Sequence, residues 1–219
     1  MLDALIHTCL YMGLFASIDV AIQLAGLQKP YYAVHAFHNA LIVATTGSDV
    51  ITTFTDLHNL HIYPTNWLAI QLCLALHLYH CAIYWKSFRF DDWLHHGLMI
   101  GVALPLGCIA NAHTLFGFSL FFTTGLPGGI DYILLFSARN GWIHKSTEKR
   151  INAFLHVWIR SPGCAAMAAL SLALLFSQPP LFSRVDWLAY IPCLLTYWNG
   201  QYFMEQVITD AALNIPKEF

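Results

Sequence analysis

Residues 66–85, NWLAIQLCLALHLYHCAIYW, decide the fold. The run contains no Asp, Glu, Lys or Arg. It is as long as the ~20 residues an α-helix needs to cross a bilayer core. It opens at the turn Tyr63-Pro64-Thr65-Asn66 and closes at Lys86. Working outward, the same alternation of apolar run and short polar break recurs. Seven stretches result, at 4–27, 31–54, 66–85, 92–110, 114–138, 152–177 and 186–210. Gln28-Lys29-Pro30 and Gln178-Pro179-Pro180 mark two more of the turns. In the fifth stretch Gly125, Pro127, Gly128 and Gly129 predict a kinked or broken helix.

Composition agrees along the whole length. Hydrophobic residues make up 58%, aromatic residues 15% and charged residues only 10%, with a mean hydropathy of +0.56. A soluble domain covers its surface with about a quarter charged residues. The expected fold is therefore an all-α integral membrane protein of about seven transmembrane helices. The first stretch lacks a basic start and a cleavage site, so it reads as a retained span. Domain organisation follows: a first transmembrane helix over 1–30, a membrane domain over 31–210 and a short tail over 211–219. A net charge of −2 without a basic or acidic tail gives no pointer to nucleic acid. The six cysteines all lie in apolar runs without CxxC spacing, which argues against a disulfide framework or a zinc-thiolate site.

Basic residues set the expected orientation. Lys29, Lys86, Arg89, Arg139, Lys145, Lys149, Arg150 and Lys217 fall at ends or loops on one side, against Arg184 on the other. By the positive-inside rule the N-terminus is non-cytosolic and the C-terminus cytosolic. Tyr31, Tyr32, Trp67, Trp85, Trp93 and Trp187 read as interfacial anchors.

Polar residues within spans are costly in lipid and therefore informative. His35 and His38, His77 and His80, and His95 and His96 fall near the cytosolic ends of three spans, with Asp92 just before the last pair. Asp131, Arg160 and Glu205 lie at comparable depth, roughly 5–14 Å below the boundary at 1.5 Å per residue. The two HxxH pairs stand at i, i+3, so both members of each can face one interior. A polar cavity open toward the cytosol is expected. A single membrane histidine often does no more than bond a neighbouring helix, but that need does not call for six at one depth. Arg160 reads most simply as counter-ion to Asp131, Asp19 or Glu205. Asn39 and Asn199 are further intramembrane polar groups, and Asp49 reads as a local cap or pair near the outer surface. His58, His61 and His144 read as solvated loop residues; His7, His113 and His156 carry no assigned role.

The segment HLYHCAIYWKSFRFDDWLHHGLMIG, residues 77–101, resembles the central segment of TLC domains, the family of TRAM, Lag1 and CLN8 proteins that includes the ceramide synthases. YYAVHAFHNALIVATTG, GFSLFFTTGLPGGIDYILL and LTYWNGQYFMEQVI are similar to other family segments in the same order, covering about residues 31–210. With Asp131 as the one clear aspartate of that later segment and Gly-Leu-Pro-Gly-Gly inserted beside it, the chain resembles the smaller TLC proteins more than a ceramide synthase. The resemblance implies a TLC-like bundle in the endoplasmic reticulum. It implies acyl transfer from acyl-CoA, as co-substrate, to a lipid amine or hydroxyl. His95 and His96 would be base or transient acyl acceptor, with Asp92 or Asp131 orienting the ring. His35, His38, His77, His80, Arg160, Asn199 and Glu205 would line the cavity, and Lys86 and Arg89 its basic rim. No resident cofactor is favoured. One alternative is a non-enzymatic protein that binds lipid and influences membrane composition, or an accessory membrane subunit. The expected partners are membrane lipids, with an oligomer or a larger membrane complex also open. Another is a metal or haem site on His35, His38, His77, His80, His95 and His96, neutral imidazole being a good ligand for iron or zinc.

Overall fold

A computed structural model describes residues 2–110, 112–176 and 186–214, and among them every regular element is helical. The elements are α1 (Leu2–Leu24), α2 (Pro30–Thr55), α3 (Trp67–Tyr84), α4 (90–110), α5 (Thr114–Arg139), α6 (145–175) and α7 (Asp186–Asn214). Gln178-Pro179-Pro180, Arg184 and Lys217 lie outside the described residues, as do the side chains of His61 and Trp187.

Among the described residues, four helical stretches are long and apolar enough to cross a membrane: Asp3–Leu24, Trp67–Ser87, Thr114–Arg139 and Lys145–Leu174. That is fewer than the seven expected. The shortfall falls on α2, α4 and α7; in α2 its reason is polar content, since that helix buries His35, His38, Asn39, Thr46, Asp49 and Thr53. Large apolar side chains face outward instead, with Leu5, Leu10 and Leu24 on α1 among the most exposed. An outside this apolar is expected of a surface that meets lipid rather than water.

Chain turns follow local chemistry. Gly26 and Lys29 take positive φ between α1 and α2, and Pro30 opens α2 where its missing N–H costs nothing. Asn66 caps α3 by accepting from the Ala69 N–H, and its amide donates to the Thr45 carbonyl and to Asp49. Asp49 is thus the local pair expected of it. α6 starts at Lys145, seven residues before the apolar run, because His144 caps a polar first turn that the hydropathy pattern cannot show.

α2 occupies the middle, packed on α1, α3 and α5, while α7 packs on α6 and α4. Close crossings use glycine. A Cβ at Gly128 would stand 2.9 Å from the Asn39 amide, one at Gly117 would overlap the Asp49 carboxylate, and one at Gly200 would press on Cys164.

The fifth stretch is not broken. α5 runs unbroken from Thr114 to Arg139 through a π-turn at Phe121–Gly125. α4 and α6 contain matching π-turns at Met99–Ala103 and His156–Arg160. Each ends two residues before a proline: Pro105, Pro127 and Pro162. A helical proline has no N–H for the carbonyl four residues back and presses its ring against it. Those carbonyls belong to Gly101, Thr123 and Trp158, all inside the π-turns, and widening the turn relieves the clash.

Candidate functional site

The three π-turns border one cavity of about 400 Å³. Met99 and Ala103, Thr123 and Thr124, and His156 and Arg160 contribute to its wall from the three turns. π-turns recur at functional sites because the spare residue re-aims side chains. Five of the six paired histidines converge there: His35 from α2, His77 and His80 from α3, His95 and His96 from α4. Neighbouring imidazole centroids are 5.0–5.4 Å apart. Leu76, Leu98, Met99 and Phe203 give the same cavity an apolar side. The cavity reaches the surface beside the exposed Arg89 and Asp91.

Hydrogen bonds fix the ring tautomers. His77 Nδ1–H donates to the Cys73 carbonyl at 2.7 Å, since a carbonyl can only accept. A neutral His77 therefore offers a lone pair at Nε2, which meets His95 Nε2 at 3.3 Å. His95 must then carry its proton on Nε2, leaving Nδ1 as its basic atom. His35 Nδ1–H donates likewise to the Tyr31 carbonyl at 2.7 Å. His80 Nδ1 and His96 Nε2 share a hydrogen bond of 3.0 Å, and His96 stacks flat on Phe88 at 4.7 Å. The cavity thus holds imidazoles oriented by backbone carbonyls and by one another.

Several expected members lie elsewhere. His38 is fully buried beside the cavity, donating from Nδ1 to Asn39 Oδ1 and meeting Phe15 edge-on. Glu205 is exposed, one residue short of the face that carries Gln206 into the wall. Lys86 is exposed and sits over the Trp85 ring, whereas Arg89 does reach the mouth. Arg160 is held by Asn199 Oδ1 at 2.9 Å and by the face of Phe203, not by a carboxylate within salt-bridge distance. Asp19 is engaged elsewhere, accepting from Tyr79, from Tyr84 and from Gln23 between α1 and α3. Asp92 borders the cavity but caps α4, accepting the Arg89 N–H. Asp131 lines the cavity with Oδ1 unpartnered. Neither carboxylate bonds a cavity imidazole; His77 does the orienting instead.

Tyr31, expected as a membrane anchor, packs on His80 and Tyr84 and belongs to the histidine layer. Trp67, Trp85 and Trp93 are exposed, as anchors should be. His156 and Tyr132 line the cavity without having been singled out. A sequence signal existed for His156 alone, which stands four residues before Arg160 in the same apolar run. Among the described residues, no group of three or more His, Cys, Asp or Glu is arranged to hold a metal ion. No family model, no curated protein and no solved structure matches the chain.

Proposed function

We propose that this chain is a membrane enzyme that transfers an acyl group from a thioester such as acyl-CoA to a lipid amine or hydroxyl, within a seven-span, TLC-like bundle. The observation that carries the reading is the chain Cys73 carbonyl, His77, His95, which leaves one imidazole with its lone pair at Nδ1 in a cavity both polar and apolar. Support for seven spans comes from α2: its polar residues are buried, while Phe37, Ile51 and Phe54 face out. Average hydropathy undercounts a helix whose polar stripe faces protein. The basic side that carries Arg89 is read as cytosolic, where a soluble thioester would arrive.

In this reading the acceptor's O–H or N–H gives its proton to His95 Nδ1 as oxygen or nitrogen attacks the thioester carbonyl. The resulting imidazolium is stabilised through its Nε2–H bond to His77, whose own Nδ1–H is fixed by the Cys73 carbonyl. Collapse of the tetrahedral intermediate breaks the C–S bond, and the departing sulfur takes the proton from His95. Products are the acylated lipid and the free thiol, with no net proton change. Arg160, whose Nε is unpartnered, and Asn199 offer donors for the oxyanion. The apolar wall suits an acyl chain.

The test is acyl transfer from labelled acyl-CoA to endogenous lipids in membranes containing the chain, beside a His95→Ala variant of equal abundance. A lipid product made by the unmodified chain alone supports the reading and identifies the acceptor by mass. Equal products from both would overturn it and shift weight to lipid binding without turnover.

A further inference from the structure

Beyond the cavity, α6 places Glu148, Asn152, His156 and Arg160 at successive steps of four residues. In an α-helix such residues fall on nearly one face, creeping by ~40° per step. The π-turn at His156–Arg160 holds an extra residue per turn, which brings Arg160 back toward the line. Glu148 is 2% exposed, Asn152 8% and His156 1%. Yet Glu148 Oε1, Asn152 Oδ1, both ring nitrogens of His156 and Arg160 Nε have no hydrogen-bond partner among the described residues. Asp131 Oδ1, on the facing α5, is in the same condition.

A row of open polar atoms is expensive in a membrane interior, where each unmade bond costs roughly 1–3 kcal/mol. His156 is the decisive member. A neutral imidazole has one N–H to give and one lone pair to fill, and here both sides are open. Water on either side satisfies both, and a hydrated Glu–Asn–His file is what proton relays in membrane helices are built from. Each end of the row is defined. Glu148 lies 3.8 Å from Lys149 Nζ, and Lys149 pairs with the half-exposed Asp210 of α7 at the surface. His156, Arg160 and Asp131 form part of the cavity wall at the other end, His156 about 12 Å and Arg160 about 18 Å along α6 from Glu148.

We infer that the inner face of α6 is a hydrated proton path joining the Lys149–Asp210 surface to the histidine cavity. It is separate from the mouth at Arg89, where an amphiphilic substrate would sit. Acyl transfer hands its proton back to the departing sulfur and so does not consume the path. What the path provides is proton equilibration of the cavity histidines with the Lys149–Asp210 surface while that mouth is filled, and it does not rest on the acyl-transfer reading.

The experiment is magnetic resonance of the full chain in lipid bilayers with isotope-labelled histidine, following exchange of imidazole N–H with bulk water. The His156 signal is identified by its loss in His156→Asn, and exposed His144 serves as reference. His156 should exchange readily in the unmodified chain. Asn152→Leu, close to isosteric, should slow it about ten-fold or more, the effect of one station that can no longer be bonded. Asn152→Ser should keep it fast and guards against misfolding, which unaltered His77 and His95 signals would also show. A protected His156 in the unmodified chain overturns the inference. So does exchange that Asn152→Leu leaves unchanged, since water would then arrive by the mouth. Neither outcome depends on whether acyl transfer occurs.

Discussion

Two buried carboxylates make an instructive contrast. Asp19 of α1 sits in a closed knot, both oxygens taken by Tyr79, Tyr84 and Gln23. Asp131 of α5 sits in an open seam, with Oδ1 unpartnered beside an α6 face on which other polar atoms are also unpartnered. Both are aspartates in apolar helices, and the sequence around them differs little in hydropathy. What separates them is closure. A polar group whose bonds are all made within the protein fixes one helix on another and has nothing left for a ligand. One left open is held by the surrounding packing at a cost, and its free valences are available to water, substrate or protons. Asp49, bonded by Asn66 at the opposite end of α2, belongs with the closed group.

The sharpest break between the two regions should come from His95→Ala. Loss of a positioned base is expected to lower turnover by about 10²–10⁴-fold with little change in Tm, measured by product formation and by melting in detergent. Next, Asp19→Ala should do the reverse. It leaves two buried tyrosine hydroxyls without their acceptor, so stability should fall by about 3 kcal/mol while turnover per folded molecule is kept. Gly117→Ala is a smaller test of the closed type. Its methyl overlaps the Asp49 carboxylate and should cost about 1–3 kcal/mol, read as a lower Tm. The mildest effect is expected from Asn152→Leu in the open seam, about 1 kcal/mol in the same melt, because one side-chain bond to Glu148 is lost while Asn152 Oδ1 has no partner among the described residues to lose. A large drop there would move Asn152 into the closed group.

Much of this was legible in the residues. Of the five helices whose starts are bounded by described residues, four begin within two residues of their apolar runs, because lipid-length runs and proline or asparagine turns leave few alternatives. Helical spacing and depth brought out His35, His77, His80, His95 and His96, together with Asp131, Arg160 and Asn199 in the wall. The misses share a cause. Depth along a helix is readable from residue number, but facing is not, so Glu205 and His38 were placed at the right level on the wrong side. Glu148 escaped because a basic, polar stretch reads as loop, although helix α6 already includes it, and Asn152 because it stands at the very start of its apolar run. The π-turns escaped too, since Pro105 and Pro162 stand alone and only Pro127 has glycines beside it to draw attention.

Those π-turns have a consequence for how the chain tolerates change in length. Elsewhere in a helix, removing one residue swings everything beyond it by ~100° and shifts it 1.5 Å, which would scatter the cavity wall. Within Met99–Ala103, Phe121–Gly125 or His156–Arg160 one residue is surplus to α-helical winding. A single-residue deletion there lets the backbone close into an ordinary turn with the flanking faces still aligned, provided the proline beyond it is replaced by alanine to remove the clash that the wide turn relieves. The three rings of widened backbone are thus the places where α4, α5 and α6 can be shortened one residue at a time while the bundle around them stays in phase.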